Sequence, residues 1–391
     1  MKKPVLFFSS REICYYSSQF FAAQLAESFE KCGYPVEVCV LDLKKDIEKQ
    51  LAPYEGKSYE AIVDFNSLLP HFLLEDDSAY VDHLDGPFFN YLVDHPMYHH
   101  PGLIPKLKNY HVLCVDEKHV AYVQHYYEHI KSVSMLPLAA NEALLPIENE
   151  KKKEAILFPG TYRNKEEIYK QICELPKERE QDTKKMIELL QANEEMSQEE
   201  ALRLILQERG EELTDAQFAV RMNEMYHADL YLRNYYREEA VRALIAHRIP
   251  VTVMGGGWDQ FAQDENKYFK RISPVDFSVS FQKIAEYQVL LNVSPLFRAG
   301  VHDRVFAAMA NRTACITEQN RYMKKHFKEK ENVMLFSVKD KTELSNLAEE
   351  LLINKTKQRQ IAENAYEEFK AKHSWDKRTQ QFLEIIKRSR Q

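Results

Sequence analysis

Short apolar runs alternate with stretches whose apolar residues fall three or four apart along the first 145 residues of the chain. Pro4–Phe8, Val36–Asp42, Ala61–Phe65, Phe89–Asp94, His111–Asp116 and Val133–Leu138 read as buried strands. Between the first two, Phe20, Phe21, Leu25 and Phe29 recur at helical spacing over Ser17–Cys32, and Gly33 stands where that helix ends. Ile47–Leu51 is a further short helix. Strands alternating with helices predict βαβ units, and hence a parallel sheet covered on both faces.

The pattern breaks over Asn141–Lys153, which is polar and carries Pro146 and three successive lysines, and it restarts at Ala155–Gly160. Asn164–Arg221 is rich in Glu, Lys, Gln and Leu and nearly lacks glycine, which predicts a helical insertion over about residues 166–222 with solvated charged faces. Strands follow at Pro250–Met254, Val289–Val293, Ala314–Thr317 and Val333–Phe336, with helices at Glu238–Ala246, Leu344–Ile353, Lys357–Lys372 and Trp375–Lys387. The expected architecture is α/β, with two Rossmann-like domains facing each other across a cleft. The first spans residues 1–145. The second spans 151–374 and contains the insertion, and the last helix, within 375–391, packs back on the first domain. Ligands of open parallel sheets bind beyond the carboxyl ends of the strands, so the cleft is the expected site.

Composition narrows the function. A net charge of −7 and a pI near 6.1 argue against a general nucleic-acid binder, while leaving room for a local basic pocket. No apolar run approaches the length of a membrane span, and the apolar start at Pro4–Phe8 is too short for a signal peptide, so a cytoplasmic location is expected. The six cysteines (Cys14, Cys32, Cys39, Cys114, Cys173, Cys315) lack any zinc-like spacing and read as reduced thiols.

Glycine is scarce, at ten residues, yet four of them (Gly255, Gly256, Gly257 and Gly300) follow strands of the second domain. The run Met254–Trp258 is either a tight turn or a place where a ligand passes close to the backbone; it lacks dinucleotide-fingerprint spacing. In the stretch SPLFRAGVHDRVFAAMANRTACITE a helix beginning near Val301–Asp303 would present free backbone N–H groups to an anion, with Arg298 and Arg304 adding guanidinium bonds. Asp303 would equally serve as a plain N-cap. Arg163 and Lys165 form a third basic loop on the same side. In the first domain, Asp94 could orient His95 as a general base in a turn that also holds His99 and His100. A decorated turn or a weak metal site are the other readings, and Asp64, His83 and Asp85 are lesser candidates.

Leu291–Val293, Gly300–Phe306, Ala308–Ala310 and Cys315–Thr317 together resemble the signature of GT-B glycosyltransferases, most closely the spore-maturation (CgeB-like) branch. Val251–Trp258 resembles that group's strand and G-x-G-W segment. Tyr231, Leu232, Arg233 and Arg237 resemble the stretch upstream of it. The resemblance implies a carboxy-terminal domain that holds a nucleotide-diphosphate sugar and an amino-terminal domain that presents an acceptor, protein, glycan or small molecule. Gly300, Val301, His302, Asp303 and Arg304 would hold the diphosphate, and Gly256, Gly257 and Trp258 would border the donor. No metal or other cofactor is implied, because arginines and a helix terminus balance the leaving diphosphate. Two positions depart from the pattern. Ala307 stands where many relatives carry a glutamate, leaving Glu318 as the candidate nucleotide contact, and Asn311–Arg312 replaces a glycine-containing turn. A nucleotide-sugar epimerase and a non-catalytic binder or partner-binding scaffold are the alternative functions.

Overall fold

The computed structural model describes residues 2–10, 12, 17–261, 266–294 and 296–390; of the cysteines, Cys14 lies outside them. The chain divides into two compact units. The first contains residues 1–138, 215–223 and 374–391, and the second contains 139–214 and 224–373.

In the first unit the chain runs β1 (Val5–Ser10), α1 (Ser17–Lys31), β2 (Val36–Leu41), α2 (Ile47–Leu51), β3 (Ala61–Phe65), β4 (Phe88–Leu92), α3 (His100–Leu103), β5 (Tyr110–Cys114), α4 (Glu117–Tyr126) and β6 (Ser132–Met135). The six strands form a parallel sheet in the order β2-β1-β3-β4-β5-β6. The inner strands β1, β3, β4 and β5 are buried along their whole length, which is why they read as continuous apolar runs. Gly33 ends α1 with φ 76°, the conformation a glycine C′ residue supplies.

The second unit runs β7 (Lys153–Pro159), α5 (Lys165–Cys173), α6 (Lys177–Ala192), α7 (Gln198–Arg209), then α8 (Asp215–Glu224), most of which belongs to the first unit, and α9 (Tyr226–Ala246). Next come β8 (Val251–Met254), β9 (Phe269–Ile272), α10 (Phe277–Ala285), β10 (Tyr287–Asn292), α11 (Asp303–Ala310), β11 (Ala314–Glu318), α12 (Arg321–His326), β12 (Met334–Phe336), α13 (Lys341–Ile353) and α14 (Lys355–Lys372). Its sheet is also parallel and six-stranded, in the order β12-β11-β10-β7-β8-β9. Ser197 and Glu200 form a capping box at the start of α7, and Gly210 ends that helix with φ 65°.

The last helix, α15 (Trp375–Ser389), packs against α1 in the first unit. Phe382 meets Phe29 and Phe89 at 5.7 and 5.1 Å, and Ser28 Oγ donates to Asp376 at 2.8 Å. Among the described residues no helix is long and apolar enough to cross a membrane.

Both sheets reverse their winding once. In the second unit, β8 and β9 add to one side of β7, and the chain then crosses to place β10 on the other. The crevice beyond the carboxyl ends of β7 and β10 is therefore the topological switch point, where open parallel sheets bind ligands. The corresponding point in the first unit lies between β1 and β3.

Candidate functional site

The loops after β7 and β8 pack against one another, and this packing accounts for two of the three adjacent glycines. A Cβ on Gly257 would sit 1.9 Å from the Tyr162 carbonyl oxygen, at a φ of 82°. A Cβ on Gly255 would sit 2.4 Å from the Gly160 oxygen. Only Gly256 faces space, with Pro274 at 3.9 Å as its nearest neighbour. Trp258, expected at the donor's border, is held inside the protein. It is 1% exposed, its Nε1 donates to the Gly160 oxygen at 2.7 Å, and its ring stacks on Tyr162 at 4.8 Å. The indole fills the gap between the two loops.

The basic loop after β7 also differs from expectation. Lys165 lies 3.3 Å from both Glu238 and Glu239 and over the Tyr235 ring. Burial pulls its pKa down, yet the two carboxylates outweigh that and hold it above the ordinary value. Its charge is thus spent within the protein. Arg163 is exposed, its backbone N–H donates to Asn234 Oδ1 at 2.8 Å, and its charge acts on His227.

At the β10 end the loop is shaped by Asn320, whose Nδ2 donates to the oxygens of Phe297 and Gly300 at 2.9 and 3.0 Å. Val301 is buried, and Arg298 turns its Nε to the Met196 oxygen at 2.8 Å. The helix α11 starts at Asp303, so its N-cap is His302 rather than Asp303. His302 Nδ1 lies 2.5 Å from Asp303 Oδ1, and the Arg304 guanidinium lies 3.1 Å from Nε2. A guanidinium can only donate, so Nε2 accepts, and the hydrogen resides on Nδ1, facing the carboxylate. With its hydrogen on Nδ1, the ring offers no lone pair to the Arg304 N–H 3.3 Å away, so His302 marks the start of α11 through its backbone alone. Burial and the neighbouring Arg304 keep the His302 pKa low. For Asp303, burial pushes the pKa up, but His302 and Arg304 win and hold it down.

Arg304 also donates to Asn292 Oδ1 at 2.8 Å, at the end of β10. Asn292 Nδ2 donates onward to Thr317 Oγ1 at 2.9 Å. Glu318, at the end of β11, is 5% exposed and takes hydrogen bonds from Ser294 N and Thr317 Oγ1. Burial raises its pKa, with the Arg304 charge opposing. Its position beside Arg304 makes it part of the site, but its oxygens already bind the chain.

The residue that sequence reasoning left without a role is Arg237, on α9. It is 6% exposed; its Nη1 donates to the Thr161 oxygen at 2.7 Å, and its Nε is buried with no hydrogen-bond partner. Burial, together with the charges of Arg304 and Arg233, pulls its pKa well below the ordinary value. Arg233, one turn earlier, pairs with Asp229. Among the described residues neither Arg237 nor Arg304 forms an ion pair, although they lie close enough for each charge to bear on the other's neighbourhood. A buried and a half-buried guanidinium, neither in a direct ion pair among the described residues though the Glu318 carboxylate bears on both, stand beside the first turn of a helix at a switch point, an arrangement suited to an anion. The only sequence signal was Arg at i and i+4 on an otherwise apolar face of α9 (Leu232, Tyr236, Ala240, Val241).

Ala307 is 3% exposed, within a face of α11 that is buried from Val305 to Ala310. The Asn311–Arg312 turn has its own support. Arg312 takes the left-handed conformation, φ 46°, that a glycine would supply, and it stacks on Tyr366 at 3.4 Å. Lys152 donates to the oxygens of Asn311 and Arg312 at 2.7 and 2.6 Å.

In the first unit, Asp94 and His95 are engaged in different contacts. Asp94 Oδ2 accepts from Asn66 Nδ2 at 2.9 Å, and its charge acts on His99. His95 caps the turn Pro96–His99, its Nδ1 accepting from Met97 N at 3.0 Å. In the neutral ring the hydrogen is therefore on Nε2, which leaves no lone pair for a base. Among the described residues no group of three His, Cys, Asp or Glu side chains is placed to hold a metal ion.

Residues 233–384 match the model of a glycosyl transferase-like family, a stretch that holds Arg237, Asn292, Arg304 and Glu318. No curated protein matches the chain. Among solved structures, sucrose-phosphate synthase from Thermosynechococcus elongatus is similar at a TM-score of 0.59 and 10% identity, over 99% of both chains. An alpha-glucosyltransferase in complex with UDP and a mismatch-containing DNA gives 0.58 and 8%, over 99% of this chain and 100% of that one. HepE from Anabaena, in complex with UDP and glucose, gives 0.55 and 10%, over 98% and 99%. The shared fold is the GT-B type, two Rossmann-like domains, each built on a parallel sheet.

Proposed function

We propose that the protein transfers a sugar from a nucleotide-diphosphate sugar to an acceptor hydroxyl or amide. The observation that carries this reading is the pair Arg237 and Arg304, neither in a direct ion pair among the described residues, at a switch point within the stretch 233–384 that matches the glycosyl transferase-like model. The diphosphate would lie against these guanidiniums and the first turn of α11. Charge developing on the leaving diphosphate would be met by the same groups, so the transfer needs no metal. UDP sugars are the first donors to try, because UDP accompanies two of the similar structures. The resemblance of Gly300–Phe306 supports the CgeB-like branch.

A non-catalytic binder is favoured by one observation, the buried Ala307 in place of an acid. A panel of UDP-, GDP-, ADP- and dTDP-sugars separates the two. A transferase gains thermal stability with its donor and slowly releases the nucleoside diphosphate, whereas a binder gains stability alone. Stabilisation by none of the four would overturn the donor site.

A further inference from the structure

The helices α6 and α7 pack against each other as a hairpin, with Met186, Ile187 and Leu190 of one and Ala201, Leu202 and Ile205 of the other buried. The turn that joins them, residues 193–197, has a different character. Asn193 and Glu195 are exposed, and its one apolar side chain, Met196, is only half-buried. Polar bonds fasten this turn to three loops beyond the carboxyl ends of neighbouring strands. Glu194 accepts from Gln319 Nε2, after β11, at 2.8 Å and from Ser337 Oγ, after β12, at 2.6 Å. The Met196 oxygen accepts from Arg298 Nε, after β10, at 2.8 Å, and Lys339 Nζ donates to the Ala192 oxygen.

The turn adjoins the anion site from two sides. Gln319 directly follows Glu318, and Tyr236 directly precedes Arg237 on α9. Burial pushes the Tyr236 pKa up to about 12, and the charges of Arg298 and Glu194 both reach its phenol. The side chain is 8% exposed, and among the described residues its hydroxyl has no hydrogen-bond partner. A hydroxyl so placed is open to a hydrogen bond from a ligand. On the other side of the switch point, the loops after β7 and β8 close on each other around Trp258. A ligand held at Arg304 therefore extends towards β11, β12 and the hairpin turn.

We infer that the α6–α7 hairpin latches the nucleoside end of the donor, with Glu194 as the latch and Tyr236 hydrogen-bonding the nucleoside. The inference rests on the transfer reading above. A donor must keep its sugar end open to an acceptor, so the end that the hairpin encloses is the nucleoside. The latch is also made to open. Its bonds join half-exposed groups without buried apolar surface, which puts the turn at the low-stability end of the fold, where binding loops belong. The turn lifts while the body of the hairpin stays packed.

The test uses the full chain with UDP as ligand. Stopped-flow displacement reads UDP release, and hydrogen exchange reads the amides of residues 192–197, which UDP should slow in the wild type. Glu194→Ala removes both latch bonds and speeds UDP release about tenfold or more, the size of one or two hydrogen bonds to a charged group. Glu194→Gln keeps an acceptor for Gln319 and turns its amide to Ser337 Oγ, so release stays within about threefold of wild type. Tyr236→Phe weakens UDP about fivefold. Unchanged release in Glu194→Ala, or amides that exchange alike with and without UDP, overturns the latch and leaves the donor site standing. Tighter UDP binding in both Glu194 variants also overturns it, because the carboxylate would then act only by repelling the diphosphate. Unchanged affinity in Tyr236→Phe overturns the bond to the nucleoside. UDP that fails to bind the wild type at any concentration overturns the donor site and this inference with it.

Discussion

The two parallel sheets share a winding scheme, yet the carboxyl ends of their strands carry opposite chemistry. At the second sheet, Arg237 and Arg304 gather outside any direct ion pair among the described residues, beside a helix start. At the first, Asp94, His95 and His99 share one loop after β4, and Asp64 is buried in β3; no guanidinium pairs with Asp94 among the described residues. A common scaffold supplies position only; the side chains that follow each strand set the chemistry of the crevice.

The largest effect expected at either crevice comes from the glycines that let loops close over it. Gly257→Ala forces a methyl against the Tyr162 carbonyl at φ 82°, and no side-chain rotation relieves a backbone clash. A loss on the order of 4 kcal/mol or more is expected in urea denaturation. In the first unit, a Cβ on Gly102 meets the side chain of Ser67 at 2.3 Å instead. Gly102→Ala should cost less, about 2–3 kcal/mol, because Gly102 lies outside the left-handed region and only its clash with the Ser67 Cβ must be relieved, whereas Gly257→Ala adds backbone strain. Equal costs would mean that the two crevices are closed in the same way.

The buried charges test the contrast directly. Asp64 is 0% exposed, and one oxygen accepts from Leu69 N at 2.8 Å while the other has no partner. Burial pushes its pKa up from 3.8 to about 8. Between these values the folded chain binds more protons than the unfolded chain, so stability falls as pH rises from about 4 to 8. Asp64→Asn removes that dependence. It should stabilise the first unit at pH 8 by about 5 kcal/mol relative to its effect at pH 4, read by urea denaturation at the two pH values. An unchanged pH slope would show that Asp64 is ionised in the fold.

Arg237→Met is the counterpart in the second unit. The variant should lose about 100-fold in UDP-glucose affinity by calorimetry, roughly the loss of one charged contact in a dry site. Its thermal stability should hold or rise, since an unpaired desolvated cation has been replaced by an apolar chain of similar length. Loss of stability with affinity retained would make Arg237 a strut for the Thr161 carbonyl instead.

Much of this contrast was hidden in the sequence for identifiable reasons. Strands buried on both faces declare themselves as apolar runs, so Ala61–Phe65 matches β3 at both ends. The strand β9 does not, because Phe269–Ile272 lies at a sheet edge with Lys270 and Arg271 exposed. The helix α8 reads as one more element of the insertion, but the stacking of Phe218 on Tyr126 at 5.0 Å and the bond from Asn223 to the Met97 oxygen at 2.7 Å assign it to the first unit. In the site, the charges of Arg304 and Glu318 stood out beside a predicted helix start. Which face a cation takes is tertiary information. Lys165 therefore read as a ligand contact while bound to two glutamates, and Arg237 carried no assigned role while buried without a partner.

The smallest effect is expected at the far end of α11, away from either crevice, where Arg312 occupies a turn that relatives build with glycine. Its left-handed backbone costs about 1–2 kcal/mol relative to glycine. Against that stand the stacking on Tyr366 at 3.4 Å and an ion pair with Glu363 at 3.1 Å, both partly exposed and together contributing about 1 kcal/mol. The terms nearly cancel, so Arg312→Gly should change stability by less than about 1 kcal/mol and leave UDP-glucose affinity unchanged. The Lys152 ammonium holds the turn by its carbonyl oxygens, which a glycine presents equally well. A marked fall in affinity in this variant would mean that α11 transmits the turn's geometry to His302 and Arg304. The anion site would then depend on the whole helix rather than on its first turn.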